Sequence, residues 1–240
     1  MMPEPTIDGQ LNAVERRLLT EAIIGAAEKP KVLLEVGTWL GGGSTLHILR
    51  SLEHNGLGHL WGVEADQSIY EQMIQNLRAA APAALGRFTP LFGFSQQVLP
   101  KWIVEQGGQV RVDFAFLDGG NRPMEQVDEF RLLEPQIPVG GQLMAHDAKL
   151  RKGKWLVPYL SLLDNWRTEL HDVSEEGLFH ARKLAAQPSP ASLRAANARL
   201  FRMRCSPAEI AAALLPSAVC GYFLRLLPRR LSRRLSDGRK

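Results

Sequence analysis

Short apolar runs alternate with amphipathic stretches along the first 147 residues of the chain. The apolar runs are short and are bounded by glycine, proline or charged residues, which is typical of buried strands. Because both faces of such a run are apolar, each strand should be covered on both sides. The runs predict strands at residues 31–36, 58–64, 87–92, 110–117 and 142–145.

The stretches around these runs carry apolar residues at helical spacing. In the first of them, Leu11, Val14, Leu18 and Leu19 fall on one helical face. Regular alternation of strand and helix requires crossover connections, and these give a parallel sheet. We therefore predict an α/β fold, Rossmann-like and doubly wound, with a mostly parallel sheet and helices on both faces. The predicted helices cover residues 11–28, 44–53, 67–81, 96–106 and 124–136.

The pattern changes after residue 186. The sequence QPSP at residues 187–190 indicates a break, and helical segments are predicted at 191–203, 207–215 and 217–235. Residues 200–240 hold nine Lys or Arg and two acidic residues, a balance of +7 within a chain of net charge +4. We predict a Rossmann-like domain over residues 1–186 and a basic helical C-terminal extension over residues 187–240.

Charge and composition narrow the class of partner. The body outside the basic tail carries a net charge of −3, which argues against nucleic-acid binding. The segment 217–235 combines an apolar stripe with five arginines, so it could lie on an anionic membrane surface or pack on the domain or on a partner subunit of a homodimer. No secretory signal or spanning segment is predicted. The expected location is the cytoplasm, with peripheral membrane contact left open.

The densest glycine cluster follows the first predicted strand, in the sequence LLEVGTWLGGGST at residues 33–45. A strand, a glycine-rich turn and a helix together form a general nucleotide-binding pattern, because the turn brings backbone N–H groups close to the ligand. The glycine spacing does not fit the dinucleotide pattern G-x-G-x-x-G, and no lysine follows as in a P-loop.

Two carboxylates accompany this loop. Glu35 lies near the end of the first predicted strand, and Glu64 ends the second. A carboxylate at the end of the second strand can accept both hydroxyls of a ribose. An acid beside the first loop suits a cationic ammonium or sulfonium better than a pyrophosphate, which it would repel.

These residues resemble a known family. The sequence LLEVGTWLGGGST resembles motif I of class I S-adenosylmethionine-dependent methyltransferases, and WGVEAD at residues 61–66 resembles the segment whose acid binds the cofactor ribose. The sequences DFAFLDGGN and PVGGQLMAHD, at 113–121 and 138–147, resemble later strands of the small-molecule O-methyltransferase branch, which includes catechol O-methyltransferase-like and cephalosporin- or macrolide-tailoring enzymes. The resemblance covers roughly residues 30–165. It implies cofactor contacts from Glu35, Gly37, Gly41, Gly42, Gly43, Ser44, Glu64, Ser95 and Asp118.

The loop departs from the family pattern at one point. The family commonly has G-x-S or G-G-S after the three-residue spacer, whereas this chain has Gly41-Gly42-Gly43-Ser44. The donors to the methionine carboxylate are therefore predicted by region rather than by atom. Ser95 or Gln96 could bond the adenine amine, and Phe94 could stack on the ring. Ser95 could also cap a helix that starts at Gln96, and one residue can do both.

The chemistry is predicted at the ends of the fourth and fifth strands. The resemblance places Asp118, His146 and Asp147 as catalytic residues and as ligands of a divalent cation, Mg²⁺ or Mn²⁺. His146 departs from the all-oxygen set of the family, and histidine suits Mg²⁺ poorly. The alternative is a metal-free site in which His146 is the general base. Many metal-using relatives place a lysine three residues after the first aspartate, where this chain has Asn121.

A basic cluster, AKLRKGKWLVPYL at residues 148–160, follows the predicted site directly. Its basic residues could hold an anionic substrate or line a mobile lid, or they could lie on a solvated loop. We favour the solvated loop. These residues are Lys149, Arg151, Lys152 and Lys154. Trp155 and Tyr159 could form walls for the methyl acceptor or pack in the core.

The leading hypothesis is methyl transfer from S-adenosylmethionine to a hydroxyl of a small molecule. A catalytically drifted cofactor-binding or membrane-associated module is the alternative. An NAD(P)-dependent oxidoreductase is disfavoured by the broken glycine spacing.

Overall fold

The computed structural model describes residues 7–120 and 122–206 of the 240-residue chain. They form a seven-stranded sheet with the strand order β3-β2-β1-β4-β5-β7-β6. The strands from β1 to β5 run parallel, and β7 pairs antiparallel with both β5 and β6. The strands are β1 Val32–Val36, β2 His59–Glu64, β3 Phe88–Phe92, β4 Phe114–Leu117, β5 Gln142–Ala145, β6 Trp166–His171 and β7 Leu178–Lys183.

Helices connect and cover these strands. They are α1 Ala13–Ile24, α2 Thr45–Asn55, α3 Gln67–Ala80, α4 Ser95–Glu105, α5 Pro123–Leu133, α6 Leu156–Leu160 and α7 Pro190–Arg204, with short 3₁₀ helices at Pro82–Arg87 and Glu134–Gln136.

The sheet separates two hydrophobic cores. Along β1, the side chains of Leu34 and Val36 belong to one core and that of Leu33 to the other. Both cores consist of fully buried aliphatic and aromatic side chains, so apolar burial on each face holds the helices against the sheet. The predicted fold class, a mostly parallel Rossmann-like sheet with helices on both faces, is confirmed.

The predicted and observed elements differ mainly at their ends. The fifth strand has its predicted bounds, whereas the fourth begins at Phe114 rather than at residue 110. Val112 donates its N–H to the carbonyl of Gln136, and the carboxylate of Asp113 accepts from the backbone of Lys31. These residues therefore contact the 3₁₀ helix after α5 and the residue before β1, and the β4 ladder begins only after them.

The antiparallel hairpin β6–β7 was not predicted. It extends the sheet past β5, with Phe179 opposite Ala145. The segment before β7 then lies over the loop after β5, since Gly177 accepts from the N–H of Ala148 and Glu176 from that of Lys149. The hairpin thus fixes the loop that follows the fifth strand, where the predicted chemistry lies.

The described part of the predicted C-terminal extension packs on the domain. Helix α7 buries Ala196 and Leu200 in one of the two cores, beside α6. The predicted domain boundary at residue 186 would therefore assign α7 to a different unit from the core that this helix helps to form. The predicted helices 207–215 and 217–235 lie outside the described residues. Within the described ranges, no helix is both long and apolar enough to cross a membrane.

Candidate active site

A cleft of about 700 Å³ opens where β1, β2, β3 and β4 end. This edge is where open α/β sheets bind ligands. Three of the predicted cofactor residues line the cleft: Gly37, Glu64 and Ser95.

Gly37 brings the loops after β1 and β4 together. Its φ of +87° lies in the region that favours glycine, and a Cβ there would lie 2.6 Å from the backbone nitrogen of Gly119. The absence of a side chain lets the two loops meet at the floor of the cleft. Steric crowding between the two loops therefore explains why residue 37 is a glycine, whether or not a ligand binds.

Glu64 is held in place by backbone donors. One carboxylate oxygen accepts from the N–H of Trp39 at 2.9 Å, and the other accepts from Ala65 and Asp66 at 2.9 and 3.0 Å. These bonds fix the carboxylate at the cleft wall and tie the loop after β1 to the end of β2. A fixed carboxylate with remaining lone pairs suits recognition of a diol.

Glu35 lies beneath the glycine loop and is fully buried. It accepts a hydrogen bond from the hydroxyl of Ser44, and burial raises its pKa to about 8. From the sequence, Glu35 is predicted to be an anion that attracts a cationic ligand. Because the carboxyl is largely neutral at pH 7, that attraction is weak, and the observed contact instead anchors the loop through Ser44.

The run of glycines packs against other parts of the chain. A Cβ on Gly41 would press on Leu77 and Met73 of α3, and one on Gly42 would overlap the carbonyl oxygen of Ile7. A Cβ on Gly9 would in turn overlap the backbone of Gly42. The N-terminal segment thus crosses the loop backbone to backbone, which accounts for a glycine beyond the family pattern. The cofactor contacts predicted for Gly41, Gly42, Gly43 and Ser44 stay predictions.

Ser95 is the first residue of α4, not its cap. The N-cap position is Phe94, and the Ser95 hydroxyl donates to Glu129 at 2.6 Å. The capping interpretation of Ser95 is therefore wrong. Glu129 is buried, and burial raises its pKa to about 7. Through the hydrogen bond from Ser95, this buried carboxyl supports the wall of the cleft.

The structure brings the predicted catalytic residues together beside the cleft. His146 Nδ1 lies 3.3 Å from Asp118 Oδ1 and 3.4 Å from Asp147 Oδ1. Potential ligand atoms of the three residues all lie within 4.8 Å of one another. Asp118 directly precedes Gly119, which lines the cleft.

Lys152 inserts its ammonium group between the two carboxylates. Its Nζ lies 2.7 Å from Asp118 Oδ1 and 2.7 Å from Asp147 Oδ2, and it donates to the backbone carbonyl of Asp118 at 2.9 Å. The residue is only 8% exposed. Lys152 was predicted only as part of a basic cluster, for which a solvated loop was slightly favoured. For this lysine the solvated interpretation is wrong, because the ion pairs hold it inside.

A tight turn after β5 directs Lys152 inward. Asp147 has a φ of +57°, an uncommon conformation for a residue with a side chain, and its carbonyl accepts from Leu150 and Gly153. A Cβ on Gly153 would lie 2.5 Å from the Cα of Ala148. The turn therefore closes on itself and returns the chain to the site within six residues.

Glu15 of α1 completes the cluster from the other side. Its carboxylate lies 3.6 Å from His146 Nε2 and accepts from Ser174 and from the backbone of Asn12. The sequence offered only a helix-start signal for it, since Asn12 and Glu15 form a capping box. Its role at the site depends on the packing of α1, which no local pattern reveals.

The charges in this cluster are mutually dependent. Burial disfavours the protonated form of His146, but Asp118, Glu15 and Asp147 outweigh it and raise the pKa of His146 to about 10. Burial likewise opposes ionisation of Asp118, and Lys152 and His146 outweigh it and lower the pKa of Asp118. His146 is 1% exposed, and the neighbouring carboxylates favour its protonated form. This environment favours a positioning role for His146 over the general-base alternative.

The two aromatic residues after the site belong to the core. Trp155 and Tyr159 are both buried among the core residues of one sheet face. Their interpretation as walls for an acceptor is therefore wrong, and their packing interpretation is confirmed.

The comparisons with known proteins agree with this geometry. Residues 34–148 match the model of a family described as a methyltransferase domain. Among curated proteins, none matches the sequence significantly.

Solved structures share the fold at low sequence identity. An O-methyltransferase from Bacillus cereus in complex with SAH is 18% identical, with a TM-score of 0.56, and the match covers 75% of this chain and 84% of that one. An SAH-bound methyltransferase from Podospora anserina is 13% identical, with a TM-score of 0.57, over 73% of this chain and 80% of that one. A methyltransferase from Geobacter sulfurreducens is 18% identical, with a TM-score of 0.54 and the same coverage of 73% and 80%.

Proposed function

We propose that this chain is a class I methyltransferase, which moves the methyl group of S-adenosylmethionine to a hydroxyl group of a small molecule. The match of residues 34–148 to a methyltransferase domain supports the first part of this proposal. The observation that supports the rest is the position of the Asp118, His146 and Asp147 cluster directly beside the cleft at the strand ends.

The cleft fits the cofactor in size and in chemistry. A volume of about 700 Å³ lies within the usual range of cofactor pockets. Glu64 offers a fixed carboxylate for the ribose hydroxyls, and the glycines Gly37, Gly119 and Gly120 give part of the cleft a lining without side chains, which leaves room for the methionine end. Phe94, which is largely exposed at the rim, offers a face for the adenine ring.

The cofactor supplies an electrophilic methyl group on a sulfonium. In the transfer, the acceptor oxygen forms a bond to the methyl carbon while the carbon–sulfur bond breaks, its electron pair stays on the sulfur of S-adenosylhomocysteine, and the hydroxyl proton passes to the carboxylate of Asp147. Asp147 has the more exposed carboxylate of the pair, at 18% of the side chain against 10% for Asp118. We assign to Asp147 the hydrogen bond that orients the acceptor hydroxyl, and proximity then contributes to the rate.

A divalent cation at this centre was part of the prediction. The three candidate ligands have the required spacing, but Nζ of Lys152 already lies at hydrogen-bond distance from both aspartates. With the lysine in this place the donor set does not accommodate a divalent ion. No step of the proposed transfer passes through a metal.

A labelled-methyl assay tests the proposal. The protein and methyl-labelled S-adenosylmethionine would be incubated with a panel of phenols, aliphatic alcohols and sugars, with amines as comparison acceptors. We expect label in at least one hydroxyl compound, and loss of most turnover in Asp147→Asn without loss of cofactor-product binding. Transfer to amines alone would contradict the assignment of a hydroxyl acceptor.

The small-molecule acceptor, a homodimer and membrane contact through residues 217–235 were further predictions. The last segment lies outside the described residues. These stay predictions.

A further inference from the structure

We infer that the ammonium group of Lys152 is the resident cation of the Asp118–Asp147 centre and takes the place that a divalent metal would fill. The inference rests on the proposed function only in naming this centre as the acceptor site. The cation itself is argued from the geometry of the lysine.

The hydrogen bonds of Lys152 are saturated. An ammonium group has three donors, and three acceptors lie within reach: the two aspartate carboxylates and the backbone carbonyl of Asp118. Each N–H therefore has one protein partner. A lysine that waited for an anionic substrate would instead keep a donor directed at the cleft.

Burial makes this arrangement difficult to vacate. The lysine and the two aspartate side chains are at most 18% exposed. Removing one partner from a buried ion pair leaves an uncompensated charge, which is strongly unfavourable. The carboxylates thus need a cation at this position, and the side chain of Lys152 is that cation.

A divalent ion and the ammonium cannot share the site favourably. A small divalent ion lies about 2.1 Å from a carboxylate oxygen. Since Nζ lies 2.7 Å from the same oxygens, the two cations would be less than about 5 Å apart. Two positive centres at that distance in a buried site repel one another, so metal entry requires the lysine to leave.

The backbone opposes such a departure. The left-handed Asp147 and the crowded Gly153 close the turn that carries Lys152, and the carbonyls of Glu176 and Gly177 hold its start. The lysine therefore sits on a fixed loop, which leaves rotation of its own side chain, with loss of all three hydrogen bonds, as the way to vacate the site.

Manganese titration of the full chain tests the inference. Mn²⁺ binding would be measured by electron paramagnetic resonance in the wild type, in Lys152→Met and in the matched control Lys149→Met. Lys149 belongs to the same basic segment but pairs with Asp172. We expect no stoichiometric binding in the wild type or in the control, and at least about tenfold tighter Mn²⁺ binding once Lys152 is replaced.

Two results would overturn the inference. One is stoichiometric Mn²⁺ binding by the wild type, together with loss of that binding in Asp147→Asn. This result can be obtained even if Lys152→Met does not fold. The other is a folded Lys152→Met protein whose Mn²⁺ affinity is no tighter than that of the wild type. Titration with S-adenosylhomocysteine reports the fold and the cofactor site separately, so failure of the proposed function is distinguishable from failure of this inference.

Discussion

At the scale of single residues, the site depends on side chains that meet only in the folded chain. Asp118, His146 and Asp147 follow strands, so the rule for parallel sheets predicts their proximity. Lys152 lies 34 residues after Asp118, on a turn whose direction is set by backbone conformation. Charged residues in a basic stretch are usually solvated, and nothing local indicates that this one is buried between carboxylates.

Glu64 is the single residue whose replacement should affect the cofactor most directly. Glu64→Gln keeps the size of the side chain but removes the charge that would accept the ribose hydroxyls. A hydrogen bond to a charged group contributes about 1.5–3 kcal/mol, so we expect roughly tenfold to hundredfold weaker binding of S-adenosylhomocysteine. The shift in melting temperature at increasing ligand concentration measures this. The exposed Glu71→Gln on α3 is the control, and equal shifts in both variants would refute the assignment.

Glu35 should make stability depend on pH. Its pKa is raised from 4.5 to about 8 by burial, so its contribution to stability is fully present below pH 4.5 and is lost as the pH rises through 8. In the wild type this group lowers the free energy of unfolding by at most about 1.4 kcal/mol per pH unit across that window.

Glu35→Gln removes the titrating group and keeps an acceptor for Ser44. We expect its free energy of unfolding, from urea denaturation between pH 4.5 and 8, to fall less steeply than that of the wild type. Glu71→Gln should leave the slope unchanged. Parallel slopes for the wild type and Glu35→Gln would show that the carboxyl does not titrate in this window.

At the scale of elements, the sequence predicted the five parallel strands because each is a continuous apolar run with marked ends. The hairpin β6–β7 escaped because β6 is an edge strand, with polar residues among its exposed positions. The pairing of β6 is set by β7, which itself pairs with β5, rather than by the sequence pattern of β6. The same hairpin holds the turn that carries Lys152. The prediction therefore misses the hairpin and the burial of Lys152 for the same reason.

The N-terminal segment should determine the order of the glycine loop. Gly9→Ala would place a Cβ into the backbone of Gly42, and overpacking of this kind costs about 1–3 kcal/mol. We expect a lower melting temperature and faster hydrogen exchange at residues 41–45. Gly86→Ala is the control, because a Cβ there meets open space. Unchanged exchange at the loop in Gly9→Ala would mean that the segment does not press on it.

At the scale of the whole molecule, one edge of the sheet gathers both halves of the proposed reaction. The cleft beside Glu64 and the charged cluster around Lys152 meet where the loops of β1 and β4 touch, at Gly37 and Gly119. The fold class and this edge were predictable from the alternation of strands and helices along the chain. The internal balance of charges was not, because α1, β4 and the β5 turn each contribute to it.

Calorimetric titration of the wild-type chain with S-adenosylhomocysteine tests whether the cleft holds the cofactor. We predict saturable heat at one site per chain, with Glu64→Gln binding more weakly at the same protein concentration. The absence of heat up to high micromolar ligand, from a chain shown to be folded by circular dichroism, would contradict it.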